Sequence, residues 1–233
     1  MEDASAESER PTVAVGSKRR ALVELTTAYG LILIVVWIPR PWQKQLWWIA
    51  AAAIFYFISI SFEGLNAMGL RAKNFLRALW VVGAAFLLAT AAVLIAAWYH
   101  TLHVPAGPFL FIQTFWAYAI WAGAQQFLML AFFLSRMLRL LPNAWSAAVA
   151  TALIFSLAHL PNPILTPVTL IWGVISCQIF LRYRNLYPLA MAHAILGIAI
   201  AITVPGPVIY NMRVGLGYLT YGHTHRPAPS PQP

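Results

Sequence analysis

No aspartate or glutamate occurs in residues 64–233 of this 233-residue chain, whose last acidic side chain is Glu63. Hydrophobic residues make up 61% of the chain and charged residues only 9%, whereas soluble domains carry about a quarter charged residues. So apolar a chain has too little polar surface to cover a soluble globule. We therefore expect it to fold in a bilayer, where each backbone amide needs an internal partner and the spanning elements are helices.

Apolar stretches long enough to cross the hydrocarbon core recur along the chain. They predict an all-α, polytopic transmembrane helical bundle of about seven to eight spans. The predicted spans are 21–38, 46–62, 78–98, 109–134, 145–160, 164–181 and 186–204, and 206–221 is either an eighth span or an interfacial hairpin. Basic and apolar residues alternate over 64–80, which favours an amphipathic helix at the membrane interface.

The basic residues lie mostly in alternate connections between the predicted spans. Lys18, Arg19 and Arg20 end the N-terminal tail before the first span, and Arg136 and Arg139 lie in one of these connections. The positive-inside rule then places these connections and the N-terminus in the cytoplasm. Because the net charge of +9 is scattered over short loops, it encodes topology and does not indicate nucleic-acid binding.

The chain is predicted to contain a single membrane domain between two tails. Its predicted parts are a disordered cytoplasmic tail at 1–20, a transmembrane domain at 21–221 with a motif core at 109–204, and a disordered Pro-rich tail at 222–233. The polar composition of both tails cannot bury enough apolar surface to fold alone. We expect a multi-pass protein of a cell membrane, namely a bacterial cytoplasmic membrane.

Four polar side chains are predicted inside or at the end of apolar spans: Gln125, Gln126, His159 and His193. Polar groups at such depth are costly unless they are paired, so they are functional candidates by default. Phe155 lies four residues before His159, and Gly197 lies four residues after His193, so each pair shares a helical face. A glycine on that face lets another group approach closely.

The order of these residues matches a known set of motifs. The chain reads Gln-Gln-Phe-Leu-Met-Leu at 125–130, Phe-Ser-Leu-Ala-His at 155–159 and His-Ala-Ile-Leu-Gly at 193–197. This order resembles the CPBP family, also called Abi or CAAX-protease-like, of intramembrane proteases. The motifs of that family are Glu-Glu-x-x-x-Arg, Phe-x-x-x-His and His-x-x-x-Asn. The resemblance covers about 109–204.

The resemblance implies a role for each matched position. The first glutamate of the family activates water with the help of the Phe-x-x-x-His histidine, and the last histidine and its asparagine stabilise the oxyanion. In this chain Gln125 and Gln126 replace the two glutamates, Leu130 replaces the arginine and Gly197 replaces the asparagine, whereas Phe155, His159 and His193 are kept. A glutamine amide can orient a water but cannot take its proton at neutral pH.

The predicted function is that of a CPBP or CAAX-type intramembrane peptidase-family protein with impaired or altered catalysis. In an active version His159 is the general base, and Gln125 and His193 position the water and the oxyanion. In the alternative, the same pocket binds a membrane peptide or partner helix without cutting it, as a chaperone, adaptor or immunity-type protein. A small transporter is less favoured, because proton and cation pathways usually contain intramembrane acids.

The same residues can instead have purely structural roles. Gln125 and Gln126 can link helices by hydrogen bonds, and His159 can bond carbonyl groups at a helix end. We predict no cofactor and no metal site, because two histidines with a glutamine are a poor ligand set for a divalent cation. The predicted partners are membrane lipid and a membrane peptide or protein substrate, with no nucleic acid.

Overall fold

A computed structural model describes residues 15–62 and 64–224 of the chain, and Glu63 lies outside this part. The helices are α1 (Val15–Trp37), α2 (Arg40–Ile60), α3 (Phe75–Ala78), α4 (Trp80–Trp98), α5 (Pro108–Phe127), α6 (Leu134–Leu140), α7 (Ala144–Leu157), α8 (Leu165–Tyr183), α9 (Tyr187–Thr203), α10 (Gly206–Ile209) and α11 (Gly215–Thr224). The described residues contain helices and turns but no strand. The predicted polytopic helical bundle is thereby confirmed.

Four helical stretches are long and apolar enough to cross a membrane: Lys18–Trp37, Phe75–Trp98, Pro108–Leu140 and Leu165–Tyr183. The shorter apolar helices α7 and α9 are packed among them. The most extensive contacts join α7 to α8, and α9 to both α4 and α5. The centre of the bundle is therefore built from the part of the chain that carries the predicted motifs.

The ends of the helical domain differ from the predicted boundaries. The first helix begins at Val15, inside the predicted tail at 1–20, and α11 continues to Thr224, inside the predicted tail at 222–233. Lysine and arginine are good helix formers, so the basic segment at the start of α1 extends the apolar helix towards the N-terminus. Residues 1–14 and 225–233 lie outside the described part.

The prediction of an amphipathic helix over 64–80 is wrong. This segment forms turns followed by the single-turn helix α3. The reason is a competing set of hydrogen bonds from the corner between α8 and α9. The side-chain amide of Asn185 donates to the carbonyl oxygens of Arg71 at 2.6 Å and Lys73 at 3.0 Å, and Asn74 adopts a left-handed conformation with φ of 64°.

A single helical stretch runs from Pro108 to Leu140 and contains a π-helical segment, Leu128–Phe133, between α5 and α6. Placing Arg136 and Arg139 in a cytoplasmic loop is therefore wrong, because both residues lie in α6. The side chain of Arg136 points into the bundle, and this residue is only 5% exposed. A cation buried in this way needs an anionic partner.

Glu24 on α1 is that partner, and it carries the only carboxylate side chain of the described residues. It is 3% exposed. The Nε and Nη2 atoms of Arg136 donate to its Oε2 at 3.0 and 2.8 Å. Its Oε1 accepts from Arg20 Nε at 2.7 Å and from the Ser61 hydroxyl at 2.9 Å. One carboxylate thus joins α1, α6 and the end of α2.

We expect Arg136→Gln to lower the free energy of unfolding by about 3–5 kcal/mol, because it removes the buried one of the two cations that Glu24 binds. Thermal and denaturant unfolding in detergent micelles would measure the change. Arg77→Gln is the matched control, since Arg77 is exposed. In addition, the double variant Glu24→Leu/Arg136→Leu should lose less stability than the sum of the single variants. Equal effects of Arg136→Gln and Arg77→Gln would contradict the prediction.

Candidate intramembrane site

A cavity of about 670 Å³ lies inside the bundle. It is lined by residues of α1, α2, α5, α7, α8 and α9, of the π-helical segment, of the turn after α7 and of the segment between α10 and α11. Most of the lining is aliphatic or aromatic. Among the described residues, no Asp, Glu, Lys or Arg side chain contributes to the lining. The cavity therefore offers polar groups to a ligand but no formal charge.

Gln126 does not itself line the cavity, but it forms hydrogen bonds with two residues that do, His193 and Trp172. It is fully buried at 0% exposure. Its Oε1 atom lies 2.8 Å from His193 Nδ1 and 3.2 Å from Trp172 Nε1. An indole N–H can only donate, so the atom facing Trp172 must be the amide oxygen. The same oxygen then accepts from His193, which fixes the proton of this imidazole on Nδ1.

His159 has its proton fixed in the same way by a different partner. It lies in the turn after α7 and is 9% exposed, and its Nδ1 atom lies 2.7 Å from the carbonyl oxygen of Phe155. A carbonyl oxygen only accepts, so Nδ1 carries the proton. Within the described residues neither His159 Nε2 nor His193 Nε2 has a hydrogen-bond partner. Both imidazoles therefore present a free lone pair.

Aromatic rings hold the two imidazoles in place. The Phe155 ring stands edge-to-face to both, with ring centroids 4.8 Å from His159 and 6.0 Å from His193. Trp172 packs against His193 at 6.2 Å in a similar orientation. Aromatic residues and histidines of α7, α8, α9 and the turn after α7 thus lie against one another, as the prediction of a common pocket requires.

Gln125 lines the cavity and its side chain makes no hydrogen bond within the described part of the chain. It differs in this respect from its neighbour Gln126, which does not line the cavity. Leu130, at the position of the family arginine, is buried in the apolar core. The structure therefore brings the predicted site residues together, and it also contains the structural bonds that the alternatives allowed: an interhelical amide contact and a helix-end histidine bond.

Tyr118 on α5 is a site residue that the sequence interpretation missed. It lines the cavity, and its hydroxyl occupies the space that a Cβ atom on Gly197 would fill. A larger residue at 197, such as the asparagine of the family, would therefore collide with Tyr118. One signal could have found it: Tyr118 precedes Gln125 by seven residues, two helical turns, so both share a face of α5. Trp172 was also missed, and no comparable pattern identifies it.

The described residues contain no group of three or more His, Cys, Asp or Glu side chains that could hold a metal ion. His159 and His193 would supply two neutral nitrogens to a cation but no anionic ligand. Such a pair is a poor donor set for a divalent metal. Cys177 is fully buried in the apolar core and does not line the cavity.

Together, the apolar helices and the cavity define a polytopic α-helical bundle of the membrane-protein type, whose cavity lining includes two histidines. The model of one family, described as type II CAAX prenyl endopeptidase Rce1-like, matches residues 124–199 of the chain. This segment begins one residue before Gln125 and contains every predicted site residue. The match confirms the resemblance to CPBP-type membrane peptidases over these residues. No curated protein and no solved structure matches the chain significantly.

We expect Gln126→Leu to reduce stability strongly, because it leaves the N–H groups of His193 and Trp172 buried without an acceptor. Each orphaned donor costs about 1–3 kcal/mol. Gln113→Leu is the matched control, since Gln113 is an exposed glutamine on the same helix. Unfolding of both variants in detergent, compared with wild type, tests the prediction. It is contradicted if the two variants unfold alike.

Gly197→Ala should also be destabilising, since its Cβ would overlap the ring and hydroxyl of Tyr118. Overpacking of this kind costs about 1–3 kcal/mol. Gly83→Ala on α4 is the control, because a Cβ there meets nothing within 4 Å. In a double-mutant cycle, Tyr118→Ala should relieve most of the penalty of Gly197→Ala. Strictly additive effects would show that the two residues do not touch.

Proposed function

We propose that this protein keeps the substrate cavity of a CAAX-type membrane peptidase but has lost carboxylate-activated hydrolysis. One observation carries the proposal: the cavity is lined by Gln125, His159 and His193 and, among the described residues, by no carboxylate. A glutamine amide can bond and orient a water molecule. It cannot act as the base that removes the proton of that water, which hydrolysis of an amide needs.

Glu24 is not available as a substitute base. It does not line the cavity, and its two oxygens accept from Arg136, Arg20 and Ser61. Removing it from this cluster would leave a buried arginine without a counter-ion. The buried ion pair and the neutral polar groups of the cavity are thus separate sets of residues.

The oxyanion-stabilising part of the site is weakened as well. With its proton on Nδ1 and donated to Gln126, His193 presents a lone pair at Nε2 and cannot donate to an oxyanion. Gly197 has no side chain to donate. The donors that the cavity offers include the Gln125 amide and the hydroxyls of Tyr118 and Tyr29, and the Tyr29 hydroxyl has no hydrogen-bond partner among the described residues. Losing one such donor slows an acyl-transfer enzyme by about 10²–10³, in addition to the loss of the base.

A second candidate function is hydrolysis by an imidazole base. The free Nε2 of His159 favours it, because this lone pair can accept a proton from a water in the cavity. The imidazole is held by a backbone carbonyl and not by a carboxylate, so little stabilises it once protonated. We therefore rank this altered catalysis below a binding role of the chaperone, adaptor or immunity type. In either case the ligand is a membrane peptide or protein segment, and the setting is a bacterial cytoplasmic membrane with the N-terminus inside.

The test uses proteoliposomes that contain fluorogenic single-span peptides and a photo-crosslinkable version of each peptide. We expect wild type to crosslink peptide without cleaving it. Gln125→Glu, alone or together with Gln126→Glu, should gain cleavage, because it places a carboxylate in the cavity. Gln113→Glu, which adds the same charge elsewhere on α5, is the control and should not cleave.

His159→Ala separates the two candidate functions. Cleavage by wild type that disappears in His159→Ala would establish an imidazole-based hydrolase and overturn the binding proposal. Crosslinking by wild type without cleavage in any variant would favour a binding role whose scaffold no longer supports catalysis. Absence of both crosslinking and cleavage would remove the membrane-peptide proposal altogether.

A further inference from the structure

We infer that the cavity takes an uncharged head group that donates hydrogen bonds, such as a primary amide or a hydroxyl, carried on a long apolar chain. The inference rests on the proposed function only in treating the cavity as a binding site, and it does not require hydrolysis. It names a second, small ligand of the same cavity, beside the membrane peptide of the proposed function, from the polar atoms that the cavity leaves without partners.

The first step concerns charge. No described residue that lines the cavity is ionic. The Glu24 carboxylate lies outside the lining and already accepts from Arg136, Arg20 and Ser61. A carboxylate or ammonium head group would therefore be desolvated with no counter-ion beside it. Burial of such an unpaired charge is far more costly than burial of a neutral group that can form hydrogen bonds. The polar end of the ligand is accordingly neutral.

The second step concerns the direction of the hydrogen bonds. Because Nδ1 of His159 donates to Phe155 and Nδ1 of His193 donates to Gln126, the free nitrogen of each ring is an acceptor. Two unmatched acceptors in an apolar cavity favour a ligand that brings its own donors. A primary amide supplies two N–H groups, and its carbonyl oxygen can in turn accept from the Tyr118 hydroxyl or the Gln125 amide.

The third step concerns the rest of the ligand. Away from the histidines, α1 and α2 contribute an apolar wall formed by Ile32, Val36, Ala50, Ile54 and Ile58. The volume of about 670 Å³ falls within the range of about 300–1,000 Å³ that is typical of pockets for small molecules. These side chains accept a hydrocarbon chain, and Tyr29 on α1 adds one hydroxyl without a hydrogen-bond partner among the described residues.

The cavity also has a path to the lipid phase. Phe55 on α2 and Trp121 on α5 line it, and both are exposed on the outside of the bundle. The main packing partner of α2 is α1, with no extensive contact to α5. A chain dissolved in the bilayer can therefore enter between α2 and α5 with its head group directed towards the histidines.

Probes with one chain length and different head groups test the inference. Full-length protein in lipid nanodiscs is titrated with radiolabelled hexadecanamide, and hexadecanol, palmitate, hexadecylamine and methyl palmitate are used as competitors. We expect saturable binding of the amide and competition by the alcohol. Palmitate and hexadecylamine should be weaker by at least about tenfold because of their charge. Methyl palmitate, which is neutral but has no donor, should also be weaker.

Variants assign the binding to the histidines. His159→Phe/His193→Phe removes both acceptors at similar size and should abolish the preference for the amide over methyl palmitate. His103→Phe is the matched control, because His103 is exposed in the loop before α5, and it should keep the preference. Gln125→Glu, which adds a carboxylate to the cavity, should reverse the order of hexadecanamide and hexadecylamine.

The inference is overturned if palmitate or methyl palmitate competes as well as the amide, if no probe binds saturably, or if the double histidine variant keeps the preference. These results are independent of the peptide experiment. Cleavage by wild type would defeat the proposed loss of hydrolysis and leave the order of the probes unchanged. Equal binding of all probes would defeat the ligand class and leave the cleavage results unchanged.

Discussion

The arrangement of the bundle depends on where its one described carboxylate lies. Glu24 accepts hydrogen bonds from two arginines and a serine on three segments of the chain. In a low-dielectric interior, such a carboxylate is stable only when a nearby cation balances its charge and its lone pairs accept hydrogen bonds. Because Glu24 is fully engaged on α1 and α6, the cavity elsewhere in the bundle is left with neutral polar groups alone.

Neutral polar groups in an apolar cavity set one another's hydrogen-bonding roles. Trp172 can only donate, so it orients the amide of Gln126, and that amide in turn decides which nitrogen of His193 faces the cavity. In an ionic site, a carboxylate at this position would attract a second proton onto the ring and make it a donor. Replacing Glu by Gln therefore changes the site twice, because it removes a negative charge and turns the histidine into an acceptor.

The sequence predicted the helices and the polar cluster because both are visible against an apolar background. A glutamine or histidine in such a span stands out, and its facing direction follows from the need for a partner. The Glu24–Arg136 pair was not predictable in this way, since its members are far apart in the chain and arginines near span ends usually indicate loops. Tyr118 was hidden because aromatic residues are common in spans. The turns over 64–80 depend on Asn185, which no local pattern could indicate.

The π-helical segment Leu128–Phe133 lies between Gln126 and Arg136 on one helical stretch. Relative to a regular α-helix, such a segment holds about one extra residue, and each residue corresponds to about 100° around the axis. The face of α6 is therefore rotated by about that angle relative to the face of α5. Because of this offset, the Gln126 amide faces His193 on α9 while the Arg136 guanidinium, on the same helical stretch, faces Glu24 on α1. The number of residues in the segment, more than their identity, sets the relative direction of the two groups.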